Sequence, residues 1–107
     1  MMLQQSQIDN LIKEIVAGYQ PEKIYLFGSY ATGKQTKESD IDLFIIKDTS
    51  ERKIERNRQV RRCIKNYPQN GLDIFVFTPH ELQQGFNQIV NIGKEAVTTG
   101  KLLYERV

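Results

Sequence analysis

Apolar residues recur along the chain with two periods, one typical of helices and one typical of strands. Apolar side chains three and four residues apart predict an amphipathic helix near the start of the chain. Short apolar or alternating runs predict strands further along. The predicted order is a helix over 6–19, strands at 23–27 and 40–47, a helix over 51–67, a strand at 72–77, a helix from Thr78-Pro79 to near Gly93, and an edge strand at 102–104.

The predicted strands differ in how many of their faces are apolar. The strand at 23–27 is apolar at nearly every position, which predicts burial on both faces. The strands at 40–47 and 72–77 alternate, so each has one wholly apolar face. The opposite face of these two strands begins with an acid and is apolar further along. Helices must therefore cover one face of the sheet, while the other face carries acids at one end.

The acids on this second face are the strongest candidates for chemistry. Asp40 and Asp42 are two residues apart, so on a strand both carboxylates leave one face with Cα atoms about 6.6 Å apart. Asp73 is a lone acid in an otherwise apolar strand, and burying it there is costly unless it is paired or binds a metal. If its strand lies beside that of Asp42, the three acids form one cluster. The alternative is that Asp73 faces water at the mouth of its strand.

A Gly28-Ser29 turn follows the first strand and precedes these acids. Glycine permits close approach of a ligand to the backbone, and a helix N-terminus after it suits a phosphate. The alternative for Ser29 is a plain helix cap. The segment Gly28-x4-Gly33-Lys34 also matches most of a P-loop, but Gln35 replaces the Ser or Thr that would hold magnesium. No apolar residue occurs in 34–39, so the long helix of a P-loop does not follow, and we reject that interpretation.

Three carboxylates beside a turn suited to phosphate predict a two-metal site for phosphoryl or nucleotidyl transfer. Carboxylate and phosphate oxygens favour Mg²⁺, and the site lacks the His and Cys ligands expected for zinc.

Composition restricts the possible classes of protein. The 107 residues predict a single domain over 1–107, and a net charge of +2 is too small to indicate nucleic-acid or membrane binding. The single Cys63 and the lack of a long apolar run predict a cytoplasmic protein without disulfides. The helix over 51–67 is rich in Arg and Lys. It is interpreted either as a solvated face or as a docking surface for an acidic partner or polyphosphate.

Gly28-Ser29 followed by Asp40-Ile41-Asp42-Leu43 resembles the signature of the DNA polymerase β-like nucleotidyltransferases. The short chain is most similar to the minimal members of that family, and Asp73 stands where they carry a third carboxylate. The segment Gly100-Lys101-Leu102-Leu103-Tyr104 resembles the family's closing segment, so the similarity covers essentially the whole chain.

This resemblance implies an α+β fold of the polymerase β palm type, a short mixed sheet with helices packed mainly on one face. It implies that Asp40 and Asp42 hold two Mg²⁺ ions and that Asp73 completes the catalytic one. Gly28 and Ser29 would bind the β- and γ-phosphates of ATP. Thr32 stands where many members carry Arg, and Lys34 or Lys37 would supply the missing cation.

The resemblance also implies a partner, because minimal nucleotidyltransferases are commonly paired with HEPN-domain toxins. In such pairs the nucleotidyltransferase is the antitoxin and transfers AMP from ATP to a tyrosine of the toxin. Nucleic acid is not expected as the direct substrate. Two alternatives stay open: a non-catalytic antitoxin that neutralises its partner by binding, and a subunit of a nucleotidyltransferase acting on a small molecule of the aminoglycoside type.

Overall fold

The computed structural model describes residues 5–28, 33–34, 40–65, 71–84 and 100–106. These residues form one four-stranded sheet and three helices. The elements are α1 (Gln5–Tyr19), β1 (Lys23–Phe27), β2 (Ile41–Ile46), α2 (Lys53–Cys63), β3 (Leu72–Phe77), α3 (Pro79–Gln84) and β4 (Lys101–Glu105). Among the described helices, none is both long enough and apolar enough to span a bilayer.

The sheet is mixed, with strand order β3-β2-β1-β4. Strand β1 pairs antiparallel with both β2 and β4, whereas β2 and β3 are parallel. The α+β class with a short mixed sheet is therefore confirmed. The predicted extent of β1 and β3 is confirmed to the residue, and the last strand lies at an edge as predicted.

Helices α1 and α2 cover one face of the sheet. Their apolar residues pack with Ile24, Leu26, Leu43, Ile45 and the alternate residues of β3 in the main core. The opposite face carries a second apolar cluster, formed by Phe27, Phe44, Phe77 and their half-buried neighbours, including Leu82 of α3. The predicted faces of β2 and β3 are confirmed, because alternate residues of an extended strand point to opposite sides.

Helix α2 is shorter than the pattern over 51–67 predicts. It begins after Arg52, whose backbone is extended, and ends before Ile64, which leaves the helical conformation and enters the main core. Ile54, an apolar residue of the first turn, is 56% exposed and does not take part in the core. The predicted end of the last helix near Gly93 lies outside the described residues.

Polar side chains of α2 bond the outer edge of β3. The Arg56 guanidinium donates to the carbonyl oxygen of Val76, the Asn57 amide to that of Ile74 and Arg61 to that of Leu72. Unpaired edge carbonyls would otherwise offer a template for another strand. Arg56 and Arg61 therefore have a structural role in α2. From the sequence, the basic residues of this helix were interpreted only as a solvated face or as a docking surface.

Arg56 is also the link between α2 and the start of α3. Its guanidinium lies 2.7 Å from a carboxylate oxygen of Glu81, and that same oxygen accepts the backbone N–H of Thr78. Thr78 in turn accepts the backbone N–H of Glu81, which completes the predicted cap at Thr78-Pro79. Burial alone would raise the pKa of Glu81, but the hydrogen bonds from Arg56 and Thr78 outweigh it and lower the pKa.

Candidate active site

Asp42 and Asp73 are register partners on the parallel strands β2 and β3. Paired positions on neighbouring strands lie about 4.8 Å apart in the hydrogen-bonding direction, and their side chains leave the same face. That face is the one opposite α1 and α2, because Leu43 and Ile74, each one residue further along, belong to the main core. The fold therefore brings together two acids that are far apart in the chain, as the matching faces predicted.

Gly28 brings the end of β1 against Asp42. Phe27, the last residue of β1, is the register partner of Asp42, and Gly28 follows with φ +75°. A Cβ on Gly28 would overlap Oδ2 of Asp42. Glycine is needed here for two reasons, the left-handed backbone conformation and the space that the carboxylate occupies.

Gly71 has the same relation to Asp40 on the other side of β2. The backbone N–H of Ile41 donates to the carbonyl oxygen of Gly71 at 3.2 Å. A Cβ on Gly71 would lie 2.9 Å from Oδ1 of Asp40. A role of Gly71 in the site was not predicted from the sequence. The one feature that could have indicated it is that this glycine directly precedes the strand that carries Asp73.

The three carboxylates differ in exposure and direction. Asp40 and Asp73 are exposed, whereas Asp42 is half-buried. The carboxylate of Asp42 leans towards β1 and that of Asp40 towards the residue that precedes β3. Asp42 and Asp73 thus leave the same face of neighbouring strands, and the Asp40 carboxylate lies against Gly71, directly before β3.

The chemistry of this donor set fits Mg²⁺, which binds carboxylate and phosphate oxygens. As the side chains stand, no three His, Cys, Asp or Glu residues within the described ranges form a cluster that could hold one ion. Binding of one ion by all three carboxylates would require their side chains to move closer together. The metal-binding roles of Asp40, Asp42 and Asp73 stay a prediction.

The predicted nucleotide-binding residues are only partly described. Gly28 lies beside Asp42, as stated above, whereas Ser29 falls outside the described residues. Lys34 is described and exposed, and it forms no ion pair with the rest of the described chain. Thr32 and Lys37 also lie outside the described residues.

Aromatic rings continue the face on which the acids lie. Phe27 and Phe75 lie with ring centroids 5.6 Å apart, and Phe44 and Phe77 with centroids 5.3 Å apart. Phe44 and Phe75 each follow an acid of the site by two residues, so the apolar cluster begins next to Asp42 and Asp73 on this face.

The chain matches a known protein family. The model of the polymerase beta nucleotidyltransferase domain matches residues 10–107. A protein of Methanocaldococcus jannaschii with the name "Putative protein adenylyltransferase" is 33% identical over 85 residues, which are 78% of this chain and 78% of that protein.

Solved structures share the fold. A nucleotidyltransferase of Sulfolobus solfataricus superposes with a TM-score of 0.64 at 22% identity, covering 94% of this chain and 79% of that one. A crystal structure of a toxin–antitoxin with AMP-PNP gives a TM-score of 0.61 at 25% identity, covering 92% of this chain and 73% of that one.

Proposed function

The chain belongs to the polymerase beta nucleotidyltransferase family, and on this basis we propose that it transfers AMP from ATP to a hydroxyl group of a partner protein. The observation that carries the proposal is the register of Asp42 with Asp73, beside the Gly28 turn. A pair of carboxylates side by side on neighbouring strands is destabilising unless a cation offsets the repulsion between them. It is suited to hold the cations that accompany a triphosphate.

In the proposed reaction the acceptor oxygen attacks the α-phosphorus of ATP. A new bond forms between that oxygen and the α-phosphorus, the bond to the oxygen that bridges the α- and β-phosphates breaks, and pyrophosphate leaves. The acceptor's proton passes to solvent. Mg²⁺ ions held by Asp40, Asp42 and Asp73 would neutralise charge on the phosphates and lower the pKa of the attacking hydroxyl.

The described residues contribute position and electrostatics to this reaction. Gly28 leaves room for the Asp42 carboxylate, and a turn residue without a side chain allows a phosphate group to approach closely. Asp73, which is exposed, would approach the metal next to the attacking oxygen. Ser29 and Lys34 would bind the β- and γ-phosphates.

The proposed acceptor is a tyrosine of a HEPN-domain toxin, with this chain as the antitoxin. A relative with the name of a protein adenylyltransferase supports a protein substrate, and a toxin–antitoxin structure containing AMP-PNP, an analogue of ATP, supports both the nucleotide and the partner. The acids lie on the face opposite α1 and α2, so a tyrosine of a docked partner can approach them from that side.

A labelling experiment tests the proposal. The protein is incubated with Mg²⁺, α-labelled ATP and a HEPN-domain protein encoded next to it, and the label on each chain is measured. We expect label on the partner, and loss of the label with Asp42→Asn. The matched control is Asp48→Asn, which removes an exposed acid beyond the other end of β2 and should label at the wild-type rate.

Three outcomes would contradict the proposal. Label that persists with Asp42→Asn would show that another site performs the transfer. Neutralisation of the toxin by Asp42→Asn as effectively as by the wild type, without any label, would favour the non-catalytic antitoxin. Transfer to a small aminoglycoside but not to the partner would favour the small-molecule enzyme.

A further inference from the structure

A basic cavity lies between α1, α2 and the end of β2, away from the acids. It has a volume of about 740 Å³ and is open to solvent on one side. Four cationic side chains line it: Lys13, Lys47, Arg62 and Lys65. Lys47 follows β2 directly, five residues beyond Asp42, so roughly 16 Å of extended strand separates the two.

The charge of the basic cavity exceeds that of the whole chain. Glu14 is the one acid among the lining residues, so the cavity has an excess of three positive charges, compared with +2 for all 107 residues. Concave sites lined by charges of one sign concentrate the electric field and attract counter-ions. The described lining of the cavity therefore attracts anions.

Internal pairing neutralises little of this charge. The carboxylate of Glu14 accepts the backbone N–H of Lys65, at 3.2 Å. Arg62 lies 3.8 Å from Glu55, but its side chain is 70% exposed, and pairs of this kind are worth little. The ammonium groups of Lys13 and Lys65 form no ion pair with any part of the described chain.

The walls of the cavity are held in place by close packing. A Cβ on Gly18 would clash with Sγ of Cys63, so α1 and α2 approach each other more closely there than any other residue would allow. Lys47 donates to the carbonyl oxygen of Tyr19 and lies 4.0 Å from the centre of the Tyr19 ring. Tyr19 is 3% exposed, and its hydroxyl oxygen has no hydrogen-bond partner among the described residues. These contacts fix the floor of the cavity and Lys47, whereas the side chains of Lys13, Arg62 and Lys65 at its rim are exposed.

We propose that the basic cavity binds a small polyphosphate anion, either inorganic pyrophosphate or the phosphate tail of a nucleotide. Several cations spread around one concavity match a ligand with several charged oxygens better than a single carboxylate. The inference rests on the cavity alone and does not depend on the function proposed for the carboxylates.

Calorimetric titration tests this site. Inorganic pyrophosphate is titrated into the protein in the presence of EDTA, so that no divalent ion supports binding at the carboxylates. We expect binding of the wild type that weakens between about 50 mM and 300 mM salt, because surface charges are screened over a shorter distance at higher salt. The double variant with Arg62→Gln and Lys65→Gln should bind at least tenfold more weakly, as expected for the loss of charge-assisted hydrogen bonds.

The matched control is the double variant with Arg52→Gln and Arg58→Gln. It changes the net charge equally, at Arg58 of α2 and at Arg52 directly before it, but leaves the cavity lining intact, so its affinity should stay within about twofold of the wild type. Asp42→Asn should also bind pyrophosphate normally, which separates this site from the proposed active site.

Parallel titrations with ATP and AMP distinguish a nucleotide from pyrophosphate as the ligand. Equal weakening by both double variants, or no binding of any of the three ligands at about 5 mM, would overturn the proposal.

Discussion

Gly28 and Asp42 fit together only because Gly28 has no side chain: a Cβ there would occupy the position of the Asp42 carboxylate oxygen Oδ2. The same glycine has φ +75°, a conformation that L side chains rarely adopt. The two constraints are separable, because Gly33 has φ +76° with no atom of the described residues within 4 Å of its absent Cβ. This pair of glycines allows strain and steric overlap to be tested independently.

Gly28→Ala should destabilise the fold and reduce nucleotidyl transfer, because the new methyl group displaces Asp42. We expect a loss of about 2–3 kcal/mol in the free energy of unfolding and at least a tenfold loss in transfer rate. Gly33→Ala should cost only about 1 kcal/mol, the strain of its backbone conformation. Urea denaturation and the labelling assay measure both variants. Equal effects at the two positions would show that the contact with Asp42 is unimportant.

Asp73→Asn should reduce transfer by about a hundredfold, which is roughly 3 kcal/mol of barrier. The amide keeps the shape of the side chain but removes the negative charge predicted to bind the catalytic metal. We also expect a higher Mg²⁺ concentration for half-maximal rate, measured by titrating Mg²⁺ in the labelling assay. A wild-type rate and Mg²⁺ dependence would place the third metal ligand elsewhere.

Asn57→Ala should destabilise the protein by about 1–2 kcal/mol, because the Ile74 carbonyl at the edge of β3 loses its donor. Arg58→Ala on the same helix is the control. Its partner Glu55 lies 3.6 Å away and its side chain is 60% exposed, so the change should be within about 0.5 kcal/mol. Urea denaturation compares the two variants. Equal destabilisation of the two variants would show that the hydrogen bond from Asn57 to the Ile74 carbonyl does not stabilise the protein.

The pair of Arg56 and Glu81 should make stability depend on acidic pH. Because the pKa of Glu81 is lowered in the folded protein, its contribution is present above the ordinary Glu pKa and is lost as pH falls through the lowered value. Glu81→Gln should cost about 2–3 kcal/mol at pH 7 and much less at about pH 3. Glu105→Gln, in an exposed pair with Lys23, is the control and should change little at either pH. A pH-independent difference between Glu81→Gln and the wild type would contradict this.

Tyr19 should make the stability of the protein depend on alkaline pH, in the direction opposite to that expected for Glu81. Burial, together with the acid Glu51, outweighs the effect of Arg56 and raises the pKa of Tyr19 to about 12. A raised pKa contributes stability below the ordinary Tyr value near 10, and that stability is lost as pH rises from about 10 to about 12. Tyr19→Phe removes this dependence. It should be neutral or stabilising by up to about 1 kcal/mol at pH 7, because the hydroxyl lacks a described partner.

The Tyr19 prediction is checked by thermal unfolding at pH 7 and about pH 10.5. Tyr25→Phe serves as the control, since that ring is only half-buried. If Tyr19→Phe destabilises the protein more than Tyr25→Phe at neutral pH, the Tyr19 hydroxyl makes a stabilising contact and the prediction is wrong.

The faces of β2 and β3 could be predicted because they follow from strict alternation within each strand. Asp42 and Phe44 share a face whatever the neighbouring strands are. The capping of α3 at Thr78 was predictable for the same reason, since its two hydrogen bonds span only three residues. The end of α2 was not predictable, because Ile64 leaves the helix to enter a core built from distant residues.

The sequence by itself determined the periods of the helices and strands, the two-residue spacing of Asp40 and Asp42, and the glycine turn before them. These are local properties, set by backbone geometry within a few residues. Only the tertiary structure decided that β3 lies beside β2 with Asp73 in register with Asp42, and that Gly71 lies against Asp40. It also decided that Arg56, on a helix that looked uniformly solvated, is buried against the edge of β3. Strand pairing and burial depend on contacts between residues far apart in the chain, which no local pattern specifies.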